Sequence, residues 1–163
     1  MPAGPTYVAL KSTILASSQT AVEFDSFSGY SDLFLLINAL SVSTTNNMDL
    51  RFNGDSGSNY ARVVITSDAG VTGFGQNDQT SARITADGIV RASYSVHGVH
   101  INNYASTSVY KNVLSRANDI DTGVDIICAY WRNLNAITSM SLTLTGSNFG
   151  AGSKFTLYGI KRA

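Results

Sequence analysis

The sequence predicts an all-β, antiparallel fold of about ten strands, a sandwich or a barrel, and three observations predict it. The first is composition: Ser, Thr, Asn and Gly fill 63 of the 163 positions, and Glu23 is the one glutamate among 11 acids. Lys, Glu and Gln favour helix and are scarce, whereas Ser, Thr, Asn, Asp and Gly compete with helix or weaken it. The second is patterning, since short runs of Val, Ile, Leu, Tyr, Phe and Thr recur between clusters of turn residues. The third is the lack of helical stretches long enough to cross over between parallel strands, which leaves antiparallel pairing.

Taken in order, strands are expected near Tyr7–Leu15, Thr20–Phe27, Asp32–Val42, Met48–Phe52, Tyr60–Thr66, Gly88–Val96, His100–Tyr104, Val109–Arg116, Asp125–Arg132, Thr138–Thr145 and Ser153–Ile160. Between them lie Ser17-Ser18, Ser28-Gly29, Asn53–Gly57, Asp119–Gly123 and Gly146–Gly152, all turn chemistry. Ser67–Asp87 is the least regular stretch and reads as a long loop or a weak hairpin. No linker, charge block or repeat divides the chain, so residues 7–163 form one domain. Residues 1–6 read as an extended arm, because Pro2 and Pro5 hold the backbone open and the segment belongs to no strand.

The faces of single strands carry more. In Thr138–Thr145, Met140, Leu142 and Leu144 alternate with Ser and Thr, the pattern of a strand with one face in the core and one in water. Leu33–Leu40 is apolar on both faces, with Leu33, Leu35, Ile37 and Ala39 against Phe34, Leu36 and Leu40. Asp125–Trp131 repeats this, with Ile126, Cys128 and Tyr130 on one side and Ile127, Ala129 and Trp131 on the other. Each sheet of a sandwich has only one inner face. Such strands therefore need a second cover, either a long loop or another subunit. Phe34, Leu36, Ile127 and Trp131 are the candidate subunit-interface residues.

Composition also excludes functions. The net charge is +0, without the basic field that nucleic acid requires, and the same neutrality argues against a polybasic membrane binder. No run approaches the roughly 20 apolar residues of a membrane helix. Met1–Pro5 lacks the basic and apolar regions of a signal peptide. The single cysteine, Cys128, leaves no intrachain disulfide and no cysteine zinc site.

The motifs that suggest chemistry each fail a physical requirement. Gly54-Asp55-Ser56-Gly57 resembles the string around a serine-protease nucleophile, but such a serine needs a His base and an Asp to orient it. Both histidines lie downstream here, and an Asn-Gly turn explains the string. His97 and His100 are three apart on an extended segment, so they face opposite sides and cannot share a metal. Asp119, Asp121, Gly123 and Asp125 hint at calcium, yet the twelfth position from Asp119 is Tyr130, which cannot ligate as an EF-hand Glu does. Gly73-Phe74-Gly75 and Gly146–Gly152 lack the helix N-terminus behind a phosphate loop. Glu23 and Asp25 share a strand face and read as an exposed polar pair. No catalytic residue, metal or cofactor is expected.

Three segments bear a resemblance when taken together. Tyr7–Leu15 with Val22-Glu23-Phe24 is followed by Tyr30–Ile37; then comes Leu50-Arg51-Phe52-Asn53-Gly54-Asp55-Ser56-Gly57-Ser58-Asn59-Tyr60, and the chain closes on Gly152-Ser153-Lys154-Phe155-Thr156-Leu157-Tyr158-Gly159-Ile160-Lys161. This order resembles the jelly-roll-like β-sandwich structural proteins of tailed bacteriophage particles, found as tail or fibre domains and as capsid decoration modules. The resemblance spans Tyr7 to Lys161, with Ser67–Arg116 matching nothing. It implies a jelly-roll-like sandwich, a homotrimer whose contacts cover the two-faced strands, and no catalytic residue. The function it implies is a capsid decoration, or cement, protein that stabilises the shell by binding the major capsid protein. Its location would be the virion, after synthesis in the host cytoplasm. Pro2 and Pro5 then belong to a candidate shell-docking arm. The competing expectation is a tail receptor-binding module recognising host-surface carbohydrate, weakened because the candidate loops hold only Phe74 as an aromatic.

Overall fold

The computed structural model describes residues 6–43, 45–67, 70–121 and 123–161, and these form twelve strands and no helix. They are β1 (Tyr7–Ile14), β2 (Ala21–Asp25), β3 (Asp32–Ala39), β4 (Met48–Phe52), β5 (Tyr60–Ser67), β6 (Val71–Gln79), β7 (Ala82–Arg83), β8 (Ser95–Asn102), β9 (Lys111–Asn118), β10 (Val124–Trp131), β11 (Ser139–Leu144) and β12 (Lys154–Ile160). One sheet has the order β1-β12-β3-β8-β9-β10-β5-β6, and the other β2-β11-β4-β7. All strand pairs are antiparallel.

The connectivity is that of a jelly roll with insertions. The set β1-β12-β3-β8 faces β2-β11-β4-β7, and consecutive members of this set alternate between the sheets except β4 and β7, which pair within the small sheet. Two hairpins are added to it, β5–β6 between β4 and β7, and β9–β10 between β8 and β11. Both join the first sheet and widen it to eight strands.

The differences from the expected strands have physical reasons. Ser67–Asp87 resolves mostly into the β5–β6 hairpin and the two-residue β7. β6 is an edge strand with eight of its nine residues exposed, so it is held by backbone pairing and shows no apolar alternation. The expected strands Gly88–Val96 and His100–Tyr104 give way to one strand, β8, whose Val96, Gly98 and His100 face away from the core. Ile89 and Val90 make only isolated bridges to Asn46.

The core lies between the sheets. Leu33, Leu35 and Ile37 of β3 meet Phe24, Leu50 and Phe52 of the small sheet, all fully buried. As its alternation predicts, β11 turns Met140, Leu142 and Leu144 inward. Beyond the β7 edge, residues 84–90 continue the cover over β9, β10 and β5. Ser115 Oγ donates to the Ile84 carbonyl at 2.6 Å, and the Ala86 N–H donates to the Asp125 carboxylate. Val64, Ala86 and Ile127 form a small second core beneath this segment.

Candidate functional site

The cross-strand register places alternate residues of the eight-stranded sheet on an outer face that neither the small sheet nor any described loop covers. One row reads Tyr158, Phe34, His100, Leu114, Cys128 and Val63 across β12, β3, β8, β9, β10 and β5. The next reads Thr156, Leu36, Gly98, Arg116, Ile126 and Ile65, and a third Lys154, Asn38, Val96, Asn118, Val124 and Ser67. Tyr7 of β1 packs its ring edge-on to Phe34 and Tyr158 at 6.0 and 6.3 Å. Val63 is 57% exposed and Ile126 48%, and Leu36, Ile65, Val96, Leu114 and Val124 are exposed beside them. A contiguous apolar surface of this kind marks an interaction site rather than ordinary solvent-facing sheet.

The centre of the face is shaped by Gly98. A Cβ there would lie 3.3 Å from both Arg116 Nε and Phe34 Cζ, so the bare backbone lets these side chains lie over the strand. On one side a hollow of about 310 Å3 is lined by Tyr7, Phe34, His100, Leu114, Arg116 and Ile126. On the other a hollow of about 240 Å3 lies among Phe34, Leu36, Val96, Arg116 and Val124. Arg116 makes no ion pair among the described residues. His100 Nε2 is buried with no hydrogen-bond partner among them.

Of the four residues expected at a subunit interface, Phe34 and Leu36 lie on this face and the other two do not. Ile127 and Trp131 are each 1% exposed and point into the sandwich, because β10 turns Asp125, Ile127, Ala129 and Trp131 inward. This corrects the reading of β10: its outward residues are Val124, Ile126, Cys128 and Tyr130. Pro2 and Pro5 lie outside the described residues.

The buried side of β10 supports the scaffold. Trp131 packs on Phe52 at 5.6 Å and stacks on Tyr60 at 6.3 Å. Lys111, fully buried, sits 5.8 Å from the indole and donates to the Asn133 carbonyl at 3.1 Å, and burial holds its amine below the ordinary lysine value. Burial likewise pushes the Tyr60 phenol up to about 12.

The string Gly54–Gly57 is a corner between the sheets. Asn53 and Gly54 have φ of 53° and 69°, and the Asp55 N–H bonds the Phe52 carbonyl at 2.9 Å, closing a tight turn. Chain leaving β4 here enters β5 of the other sheet, so the turn is not a hairpin. The Asp55 carboxylate accepts from Gly57 N, Asn59 Nδ2 and Trp131 Nε1 at 2.8, 2.9 and 2.7 Å. Burial works to raise its pKa, but these donors together hold it below the ordinary carboxylate value.

The two histidines of β8 occupy opposite faces. His97 is fully buried, 2.7 Å from Ser95 Oγ, and burial drives its pKa down to about 3 against the pull of Asp119. His100 lies on the outer face beside Phe34. The acids of the Asp119–Asp125 segment diverge as well. Asp119 Oδ1 accepts from the Asp121 and Gly123 amides, Asp121 accepts from Ser93, and Asp125 turns inward to Thr66 and Ala86. No group of three metal-ligating side chains occurs among the described residues. Fold and face together define an antiparallel β-sandwich with one unpartnered apolar sheet surface. The chain matches no protein-family model and no curated protein sequence.

Proposed function

We propose that this chain is a structural protein of a tailed-bacteriophage particle, specifically a capsid decoration (cement) protein acting as a homotrimer on the major capsid protein. Its role is mechanical rather than catalytic. The observation that carries the reading is the bare apolar face through Leu114, Ile126, Val63 and Ile65, which gives the fold a surface to bury in an assembly. The sequence strings that resemble virion β-sandwiches support it further. One builds the β4–β5 corner stapled to Trp131, and the other is β12 in the interior of the large sheet. Cementing works through many modest contacts acting together, so each copy needs only a moderate affinity for the shell. The half-buried Ser and Thr of the small sheet, such as Ser141 and Thr143, keep the opposite side hydrophilic.

Immunolabelling of intact particles tests the proposal. Regular labelling over the head supports a decoration protein made in the host and carried in the virion. Label confined to the tail overturns it in favour of a receptor-binding module, for which binding to host-surface carbohydrate is the matching assay. A solution mass near three times 17.3 kDa is expected for the trimer.

A further inference from the structure

We infer that the outer face is a self-association surface in which the β9–β10 tip of one copy, Ile120-Asp121, docks into the Arg116 crease of another. The inference rests on reading this face as an assembly surface and goes on to name its occupant and contacts.

Charge complementarity selects the occupant. Arg116 is the one charged side chain in the middle of the face, in the row between Gly98 and Ile126, and it has no ion pair among the described residues. Two hollows lined largely by apolar and aromatic groups flank it, and the buried His100 Nε2 adjoins the larger one. Such a crease fits an aliphatic side chain accompanied by a carboxylate. The chain displays that combination at the tip of the β9–β10 hairpin. Ile120 is 83% exposed, the most exposed large hydrophobic residue described, and the neighbouring Asp121 is exposed and without a cation among the described residues. Asp119 Oδ1 accepts the Asp121 N–H at 3.2 Å, so the tip is held in shape before docking.

Geometry allows each copy both to give and to receive. Arg116 and Ile120 belong to one hairpin four positions apart, Arg116 on β9 and Ile120 in the turn beyond Asn118. Made head to tail, the contact builds a ring where the rotation closes, and the proposed trimer requires a closed three-fold ring. The area is adequate: eight strands at ~4.8 Å spacing and about 20 Å along each strand give on the order of 700 Å2. Stable interfaces bury roughly 800 Å2 per partner.

Charge exchange tests the contact. Sedimentation of the wild-type chain is expected to show a trimer. Arg116→Asp and Asp121→Arg should each weaken association by about tenfold or more, and the double variant should regain most of the loss. Cys128, the chain's one cysteine, lies beside Leu114 on this face, so its alkylation should be slow in the assembled wild type and fast in either single variant. Arg116→Gln and Asp121→Asn, milder changes at exposed positions, should weaken association in the same direction, with thermal melts reporting the fold of every variant. A wild-type monomer at its highest soluble concentration overturns the inference. So do folded single variants that associate like wild type, or a double variant that stays apart. Particle labelling is independent: protein absent from phage heads leaves this contact standing, whereas a monomer in solution refutes the contact whatever the labelling shows.

Discussion

Trp131 Nε1 donates to Asp55 Oδ2 at 2.7 Å, bridging 76 positions of sequence to pin the inner face of β10 to the corner between the sheets. With the packing of Trp131 on Phe52 and Tyr60, the bond helps to hold this side of β10 inward, which leaves the alternate residues on the outer surface. Asp55→Ala would leave the indole N–H and the Gly57 amide without this acceptor. We expect a loss of about 2 kcal/mol in urea unfolding, and Asp55→Asn should lose less because its Oδ1 still accepts.

The neighbouring Asn53 and Ser56 should behave oppositely. Asn53 holds a positive φ, accepts from the Thr138 and Ser139 amides at 2.8 and 3.1 Å, and donates to the Ala136 carbonyl at 2.8 Å. Asn53→Ala should cost about 2–3 kcal/mol. Ser56 is exposed, and Ser56→Ala should stay within about 0.5 kcal/mol of wild type. A large loss at Ser56 would show that this corner is held differently.

Acid should destabilise the fold through His97 before it acts through Asp55. A His whose folded pKa is about 3 takes up its proton first in the unfolded chain, near 6.5. Its contribution is therefore complete above pH 6.5 and lost progressively as pH falls toward 3, reaching about 2 kcal/mol at pH 5. Asp55, with its folded value below 3.8, contributes above that value and loses the contribution only as pH falls below it. Unfolding free energies at pH 7 and pH 5 check this, since His97→Gln should flatten the difference. An unchanged slope in that variant would place the proton uptake elsewhere.

The two faces of β10 should separate in mutation. Ile126→Lys, on the outer face, should leave the melting of the isolated chain nearly unchanged and reduce association. Trp131→Asp should unfold the chain, at a cost above about 4 kcal/mol, because it buries a charge where an aromatic cluster stood. A folded, monomeric Trp131→Asp would reverse the assignment of faces.

The legibility of this chain varied strand by strand. β11 was read correctly because Ser and Thr alternate with Met140, Leu142 and Leu144, which fixes its parity. β3 was read as two-faced, and its outer Phe34 and Leu36 do stand in the bare surface. β10 defeated the same logic: with Ile126, Cys128 and Tyr130 against Ile127, Ala129 and Trp131, both parities are apolar. The groups that hold one parity inward, Asp55, Phe52 and Tyr60 against Trp131 and Thr66 and Ala86 against Asp125, lie far away in sequence. Gly98 and Arg116 gave no signal either, since neither stands out until the register sets them side by side on the sheet. The cover at residues 84–90 was invisible because its attachments, such as Ser115 to Ile84 and Ala86 to Asp125, join single polar groups across distant segments.

The position of β12 has a consequence for biosynthesis. It lies between β1 and β3, pairing Tyr7 with Ile160 and Leu33 with Gly159, so β1 can join the large sheet only through β12, which follows it after all the other described strands. While the ribosome is still making the middle of the chain, β1 and the exposed flank of β3 wait with unsatisfied edges. Closure must await β12, and it proceeds through contacts of very long sequence separation, which fold slowly. A partly synthesised copy therefore presents raw strand edges to its neighbours, and crowded polysomes, rather than the finished protein, are where aggregation is most to be expected.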